Sequence, residues 1–148
     1  AETLRRLGTH DQIPALLDLF EENQEFYLVQ EYIAGQTLQD ELSAVKRMNE
    51  AQAIDLLRDV LTVLDFVHEN QVIHRDIKPG NLIRRQRDGR FVLIDFGAVK
   101  EIHTQLTNEP GMTNLTVGIG TQGYGPSEQL IGKPRYSSDL YALGMTVI

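Results

Sequence analysis

An α+β fold is predicted for this 148-residue chain, on three observations. Residues 25–30 (Glu-Phe-Tyr-Leu-Val-Gln) are an aromatic and β-branched run behind a polar Glu21-Glu22-Asn23-Gln24 turn, and Leu16 to Phe20 lies just before it, which reads as a hairpin. Asn49 to Glu69 carries apolar Ala53, Ile54, Leu57, Val60, Leu61, Leu64 and Val67 at three- and four-residue spacing, with Asn49 and Gln52 placed for a capping box. That pattern predicts a long, largely buried helix. After it, the short apolar runs Val72-Ile73, Leu82-Ile83 and Phe91 to Ile94 alternate with polar loops and read as short strands.

The remaining elements follow in order. Tyr32 to Gln36, with Ala34-Gly35, interrupts the strand pattern, and Thr37 can cap a short helix reaching about Ser43. Arg84, Arg85, Arg87 and Arg90 flank Asp88-Gly89 and read as a solvated hairpin turn. Ala98 to Tyr124 is rich in threonine and glycine and has little periodicity; irregular segments of such length usually serve function. Pro126 to Ile131 predicts one or two helical turns, and Ser138 is placed to cap a final apolar helix from Asp139 to the last residue.

Composition fits one globular unit, with 41% apolar and 24% charged residues. A net charge of −7 and a pI near 5.0 supply no basic field for nucleic acid or an anionic bilayer, so neither is expected as a partner of this segment. The chain has no cysteine, hence no disulfide or thiolate-zinc framework, which suits a reducing, cytoplasmic setting. No apolar stretch approaches the roughly 20 residues of a membrane helix, although tethering of a longer protein stays open.

Chemistry concentrates in residues 74–81, His-Arg-Asp-Ile-Lys-Pro-Gly-Asn, and in Asp95-Phe96-Gly97 fourteen positions further on. Asp76, Lys78 and Asn81 place a hydroxyl-orienting base, a phosphate-binding cation and a hard oxygen ligand within one short loop. Asp95 stands where the run Phe91 to Ile94 ends, within reach of the same small ligand if neighbouring strand ends hold both. This set fits phosphoryl transfer: the transition state is loose, its charge is spread over oxygens, and the protein has mainly to position and neutralise. Asn81 and Asp95 suit a magnesium ion, which keeps phosphate and water oxygens in its octahedron.

These segments resemble the protein kinases. The resemblance implies that Asp76 is the catalytic-loop base, that Lys78 contacts the transferring phosphate, and that Asn81 and Asp95 hold magnesium. It extends to Glu31-Tyr32-Ile33-Ala34-Gly35 as the hinge, to Gly120-Thr121-Gln122-Gly123-Tyr124 as the substrate-docking end of the activation segment, and to Asp139 and Gly144 in the central helix of the large lobe. It implies that adenine of ATP is held by the Glu31 carbonyl and the Ile33 N–H, with Ile83 beneath the ring. Lys78 with Thr121 points to serine/threonine specificity and a protein substrate. Arg75 implies control by a phosphate on the activation segment, with Thr113 and Thr116 as candidates. His74 is expected to pack on Phe96 and bond backbone, His10 and His68 to be core or capping residues, and His103 to lie on a loop surface.

The implied architecture is a truncated kinase-like fold: residues 1–31 a remnant of the small lobe, 32–36 the hinge, 37–148 an incomplete large lobe. The sequence contains no glycine-rich phosphate loop and no Val-Ala-Ile-Lys-like strand, Ala-Pro-Glu stands as Pro126-Ser127-Glu128, and the ribose-binding acid position is Thr37. The expectation is an excerpt of a kinase domain of about 260 residues, inactive alone because phosphate positioning is lost. Two alternatives stay open. A pseudokinase or binding module would lack the upstream lysine, and a small-molecule phosphotransferase of the aminoglycoside-kinase type would lack Lys78 and the Gly-Thr segment.

Overall fold

The computed structural model describes residues 2–96, 100, 101, 121 and 123–148; Gly97, His103, Thr113, Thr116, Gly120 and Gln122 lie outside the described residues. The chain opens with α1 (Glu2–Leu7) and a loop leading to the antiparallel hairpin β1 (Leu16–Glu22) and β2 (Glu25–Gln30). Only two residues turn the hairpin, Asn23 at φ 53° and Gln24 at φ 66°. Successive left-handed residues match the twist of the flanking strands, and an asparagine tolerates that region best among residues with a side chain.

β3 (Gly35–Thr37), α2 (Leu38–Val45) and α3 (Glu50–Glu69) follow. Residues 35–37 are therefore strand and not merely a break: β3 pairs with β5 (Leu82–Arg85), which pairs in turn with β6 (Phe91–Leu93). Gly35 is required at this crossing, since a Cβ there would overlap the Arg84 carbonyl. Thr37 caps α2 as expected, its hydroxyl accepting from the Asp40 N–H at 3.1 Å. β4 (Val72–Ile73) pairs with β7 (Lys100–Glu101). α4 (Ser127–Leu130) and α5 (Tyr136–Val147) complete the chain. α5 starts earlier than the sequence indicates. Ser138 occupies its first turn, and the Ser138 hydroxyl accepts from the Arg135 N–H at 3.0 Å.

α3 has the capping box: Asn49 accepts from the Gln52 N–H and the Gln52 side chain accepts from the Asn49 N–H, both at 2.9 Å. Its inner face differs from the one read from the sequence. Leu56, Val60, Val63, Leu64 and Val67 are buried, whereas Ile54 and Leu61 are 39% and 44% exposed. Two apolar stripes run along this helix, and periodicity cannot choose between them; packing on Val72, Phe91, Ala142 and Leu143 selects the stripe through Val60 and Val67. Each fully buried aliphatic side chain is worth about 1.5–3 kcal/mol.

The arginine cluster is also different from the solvated turn expected. Arg85 is 5% exposed and bonds Asp88 at 2.6 Å and Asp11 at 2.8 Å. Arg84 lies 4.3 Å from the Phe91 ring centroid and bonds Glu41 of α2 at 2.7 Å, while Arg90 bonds Asp59 of α3 at 3.4 Å. Gln12 donates to the Phe91 carbonyl at 2.7 Å and its own carbonyl accepts from the Leu93 N–H at 2.9 Å. These links fasten the α1–β1 loop to the β5–β6 hairpin, because acidic residues distant in sequence face each guanidinium. Hydrogen bonds from Arg85 outweigh the cost of burial and hold the Asp88 carboxyl down at about 2.

Asn49→Ala should lower folding stability by about 1 kcal/mol, read as an earlier urea midpoint with unchanged slope. Arg85→Ala should cost several times more than Arg87→Ala, since Arg87 is an exposed partner whose loss is worth at most about 1 kcal/mol; equal midpoints for the two variants would contradict the network.

Candidate active site

The loop after β4 is gripped from below. Asp139, fully buried in α5, accepts from the His74 N–H at 2.9 Å, the Arg75 N–H at 2.8 Å and His68 Nε2 at 2.8 Å. Arg75 is thereby held at φ 70°, a left-handed conformation that costs a residue with a side chain about 1–3 kcal/mol and persists only where surroundings fix it. The carbonyl of Arg75 accepts from Gln129 Nε2 at 2.6 Å.

His74 is wholly buried, edge-on to Phe96 with ring centroids 4.7 Å apart. Its Nε2 lies 3.1 Å from the Ile94 carbonyl and its Nδ1 accepts from the Asp76 N–H at 3.2 Å. Those partners fix one tautomer, proton on Nε2. Burial lowers the His74 pKa, against the opposing pull of Asp139 and the Ile94 carbonyl, so the ring is neutral at physiological pH. Its role is the structural one expected. His10 behaves likewise, accepting from the Gln12 N–H at 3.1 Å and packing on Phe66. His68 is an exception to the bland expectation, since it helps to hold the buried Asp139 carboxylate.

Asp76, Lys78 and Asn81 come together as the sequence indicates. Lys78 Nζ lies 2.7 Å from Asp76 Oδ2, and Asn81 Nδ2 donates to Asp76 Oδ2 at 2.9 Å and to the Asp76 carbonyl at 2.8 Å. The Thr121 hydroxyl donates to Asp76 Oδ1 at 2.7 Å and accepts from Lys78 Nζ at 2.8 Å. Burial pushes the Asp76 carboxyl up, but hydrogen bonds from Lys78 and Thr121, the Lys78 charge and the Asn81 amide together bring it below the usual value. The Asp76 carboxyl is therefore ionised at neutral pH, and its stabilising bonds, present above the ordinary carboxylate pKa, are lost as pH falls through the depressed one.

Both contacts of Asn81 Nδ2 are oxygens, so the amide nitrogen must face Asp76 and Oδ1 is turned the other way, the orientation a cation ligand needs. The Ile94 N–H donates to the Asn81 carbonyl at 3.0 Å, and Asp95 follows at once with φ 62°. Asp95 and Ile94 line a cleft of about 430 Å³. Gln30, Glu31, Ile33 and Ile83 line the same cleft. Among the described residues, no backbone hydrogen bond takes up the Glu31 carbonyl or the Ile33 N–H; the Glu31 N–H is spent on the Ala15 carbonyl at 2.9 Å. Ile83 reaches the cleft from β5, whose first residue follows Asn81 directly. The donor set of Asn81 and Asp95 fits a hard divalent cation. Among the described residues no group of three or more His, Asp or Glu side chains is arranged to hold a metal, so such a cation would complete its shell with phosphate and water oxygens.

Three features escaped sequence reasoning. Thr121 was legible as part of the docking segment, but not as a bridge between Asp76 and Lys78, residues 45 and 43 positions away. Gln129 carried no signal at all. Gln30, the last residue of β2, lines the cleft beside Glu31 and Ile33, yet reads in sequence as an ordinary strand end.

Comparison with known proteins agrees with this geometry. The chain is 48% identical over 151 residues to Serine/threonine-protein kinase B of Synechocystis sp., covering all of this chain and 26% of that protein. It is 48% identical over 149 residues to Serine/threonine-protein kinase PknA of Nostoc sp., again over all of this chain and 26% of the relative. Calcium/calmodulin-dependent protein kinase type 1 of Caenorhabditis elegans is 35% identical over 147 residues, covering 97% of this chain and 40% of that protein. The chain thus spans about a quarter of the length of the cyanobacterial relatives. The family described as protein kinase domain matches residues 1–148, from first to last, and this chain belongs to that family.

Proposed function

We propose that these residues are the hinge and catalytic centre of a protein serine/threonine kinase that moves the γ-phosphoryl group of ATP to Ser or Thr hydroxyls of a protein substrate. The observation that carries the reading is the closed cluster of Asp76, Lys78, Asn81 and Thr121 next to a cleft that receives Asp95. Kinase-family enzymes in general use ATP and magnesium, and the relatives at 48% identity bear serine/threonine kinase names. Residues 1–31 are read as small-lobe remnant, 32–36 as hinge and 37–148 as large lobe, in a cytoplasmic, reducing setting that suits a cysteine-free chain.

The geometry supports the following roles. Adenine would lie against Ile83, bonded by the Glu31 carbonyl and the Ile33 N–H. Asn81 Oδ1 and the Asp95 carboxylate would hold magnesium, which when bound neutralises phosphate charge and orients the transferring group. The ionised Asp76 carboxylate accepts the proton-bearing side of the acceptor hydroxyl and directs its oxygen, gaining from a base already poised below neutrality. Lys78 presents a point charge beside it for the phosphoryl oxygens. Thr121 keeps lysine and carboxylate in register, through one hydroxyl that both accepts and donates. Phe20, Tyr27, Leu28 and Val29 expose apolar surface on the β1–β2 hairpin.

Asp76→Asn in the full-length protein should reduce kcat by at least about 100-fold with little change in KM for ATP. Wild-type-like transfer by that variant would remove the proposed base, and nucleotide binding without transfer by the unsubstituted protein would favour a binding module. Thr121→Val should lower kcat by roughly tenfold or more while Thr121→Ser retains it; similar rates for the two would show the hydroxyl bridge to be idle. Because the Asp76 carboxyl is depressed, the kcat/KM profile should show no inflection from it above about pH 4.

A further inference from the structure

We propose that Gln129 is a positioning residue that fixes the catalytic loop from α4, by holding the peptide plane between Arg75 and Asp76. This inference rests on the kinase reading of Asp76 and names a further part of the same site. The peptide group joining Arg75 to Asp76 is planar, so its direction decides where the Asp76 side chain leaves the backbone. Both of its polar ends are held by side chains. The carbonyl accepts from Gln129 Nε2 at 2.6 Å, and the N–H donates to His74 Nδ1 at 3.2 Å. One residue earlier, the Arg75 N–H is taken by Asp139 at 2.8 Å.

Arg75 needs this restraint, because its φ of 70° lies in a region that a side-chain-bearing residue leaves unless held. Asp139 supplies the hold on one side of the strained residue and Gln129 on the other. Asp139 fixes only the amide of Arg75; the rotation about ψ that sets the carbonyl and, with it, Asp76 is fixed by Gln129 on the carbonyl together with His74 on the Asp76 N–H. Gln129 is 2% exposed and sits in a turn of helix begun by Pro126, with its N–H on the Pro126 carbonyl at 3.1 Å. Gly125 makes room for its amide, since a Cβ there would come within 3.2 Å of Gln129 Nε2. The residues leading into α4 include Thr121, which bonds Asp76 directly. One short segment therefore holds Asp76 twice, by its side chain through Thr121 and by its backbone through Gln129.

The charge on the held group is open to test with a shape-preserving substitution. Gln129→Glu keeps size but, once ionised, offers no donor and sets a negative charge against the Arg75 carbonyl. Around it the charged or titratable groups are Arg75, the buried Asp139 with His68 and His74, and Glu128, whose carboxylate accepts from Ser138 at 3.1 Å. Burial raises the pKa of a carboxyl at this position, and its protonated form carries an O–H that can donate to the same carbonyl. In the full-length kinase, Gln129→Glu should lower kcat about tenfold or more at pH 8.5, with KM for ATP within about twofold of the unsubstituted protein, and the deficit should shrink below about threefold at pH 6. Gln129→Met, which can never donate, should show the deficit at both pH values. Full kcat for Gln129→Glu at pH 8.5, or an equal deficit at the two pH values, would overturn the proposal. In the unsubstituted protein, labelled at glutamine, the Gln129 side-chain amide protons should exchange far more slowly than those of free glutamine; exchange at the free rate would overturn the proposal without reference to any variant. Absence of phosphoryl transfer by the unsubstituted protein would instead refute the kinase reading, and the exchange measurement would still decide the Gln129 bond.

Discussion

The arrangement of the site depends on a carboxylate that never meets solvent. Asp139 receives two backbone N–H groups and one imidazole nitrogen. A buried charge of this kind is costly unless its lone pairs are filled, and here they are filled by the very residues whose conformation must be held. The exchange is reciprocal. The loop gains a fixed, left-handed Arg75, and the carboxylate gains donors that a helix interior lacks. His74 carries the constraint onward, through Ile94 to β6 and through Phe96 to the residues that follow Asp95.

Two residues with side chains stand at positive φ at the site, Arg75 at 70° and Asp95 at 62°. Each costs about 1–3 kcal/mol; the first precedes Asp76, whose carboxylate meets Lys78 and Asn81, and the second is Asp95 itself, which lines the cleft. The hydrophobic core beneath, from Val60, Val67, Ile77 and Leu82 to Phe91 and Leu143, is the rigid support that makes such conformations persist. The Asp11–Arg85 ion pair and the hydrogen bonds of Gln12 with Arg90 and the Phe91 carbonyl add a second attachment, by which the segment leading into β1 is fastened to the hairpin that carries Asn81 and Asp95 at its two ends.

Much of this was legible from local signals. Asn49 and Gln52 stated the start of α3 because capping chemistry is local, and the two-residue turn at Asn23 and Gln24 sits within the polar tetrad that marks it. The spacing of Asp76, Lys78 and Asn81 placed three site residues together because a turn of that length leaves them little else to do. Less legible were choices between equivalent local patterns. Ile54 and Leu61 lie outward although their spacing is as helical as that of Val60 and Val67, and Arg85 lies inward although its neighbours in sequence are charged. Each is decided by partners far along the chain.

The amino-acid sequence by itself determined the order of elements, the short loop that gathers Asp76, Lys78 and Asn81 and the position of Asp95 at a strand end, since all of these follow from short-range periodicity, turn residues and spacing. Only the tertiary structure decided that Thr121 bridges Asp76 and Lys78, that Asp139 and Gln129 hold the strained backbone beside Asp76, and that Glu31, Ile83 and Asp95 share one cleft. Hydrogen bonds between residues 40 or more positions apart, and cleft walls drawn from separate strands, leave no periodic trace. They exist once packing of α3 against α5 and of β5 against β6 has fixed the separations over which a donor can reach an acceptor.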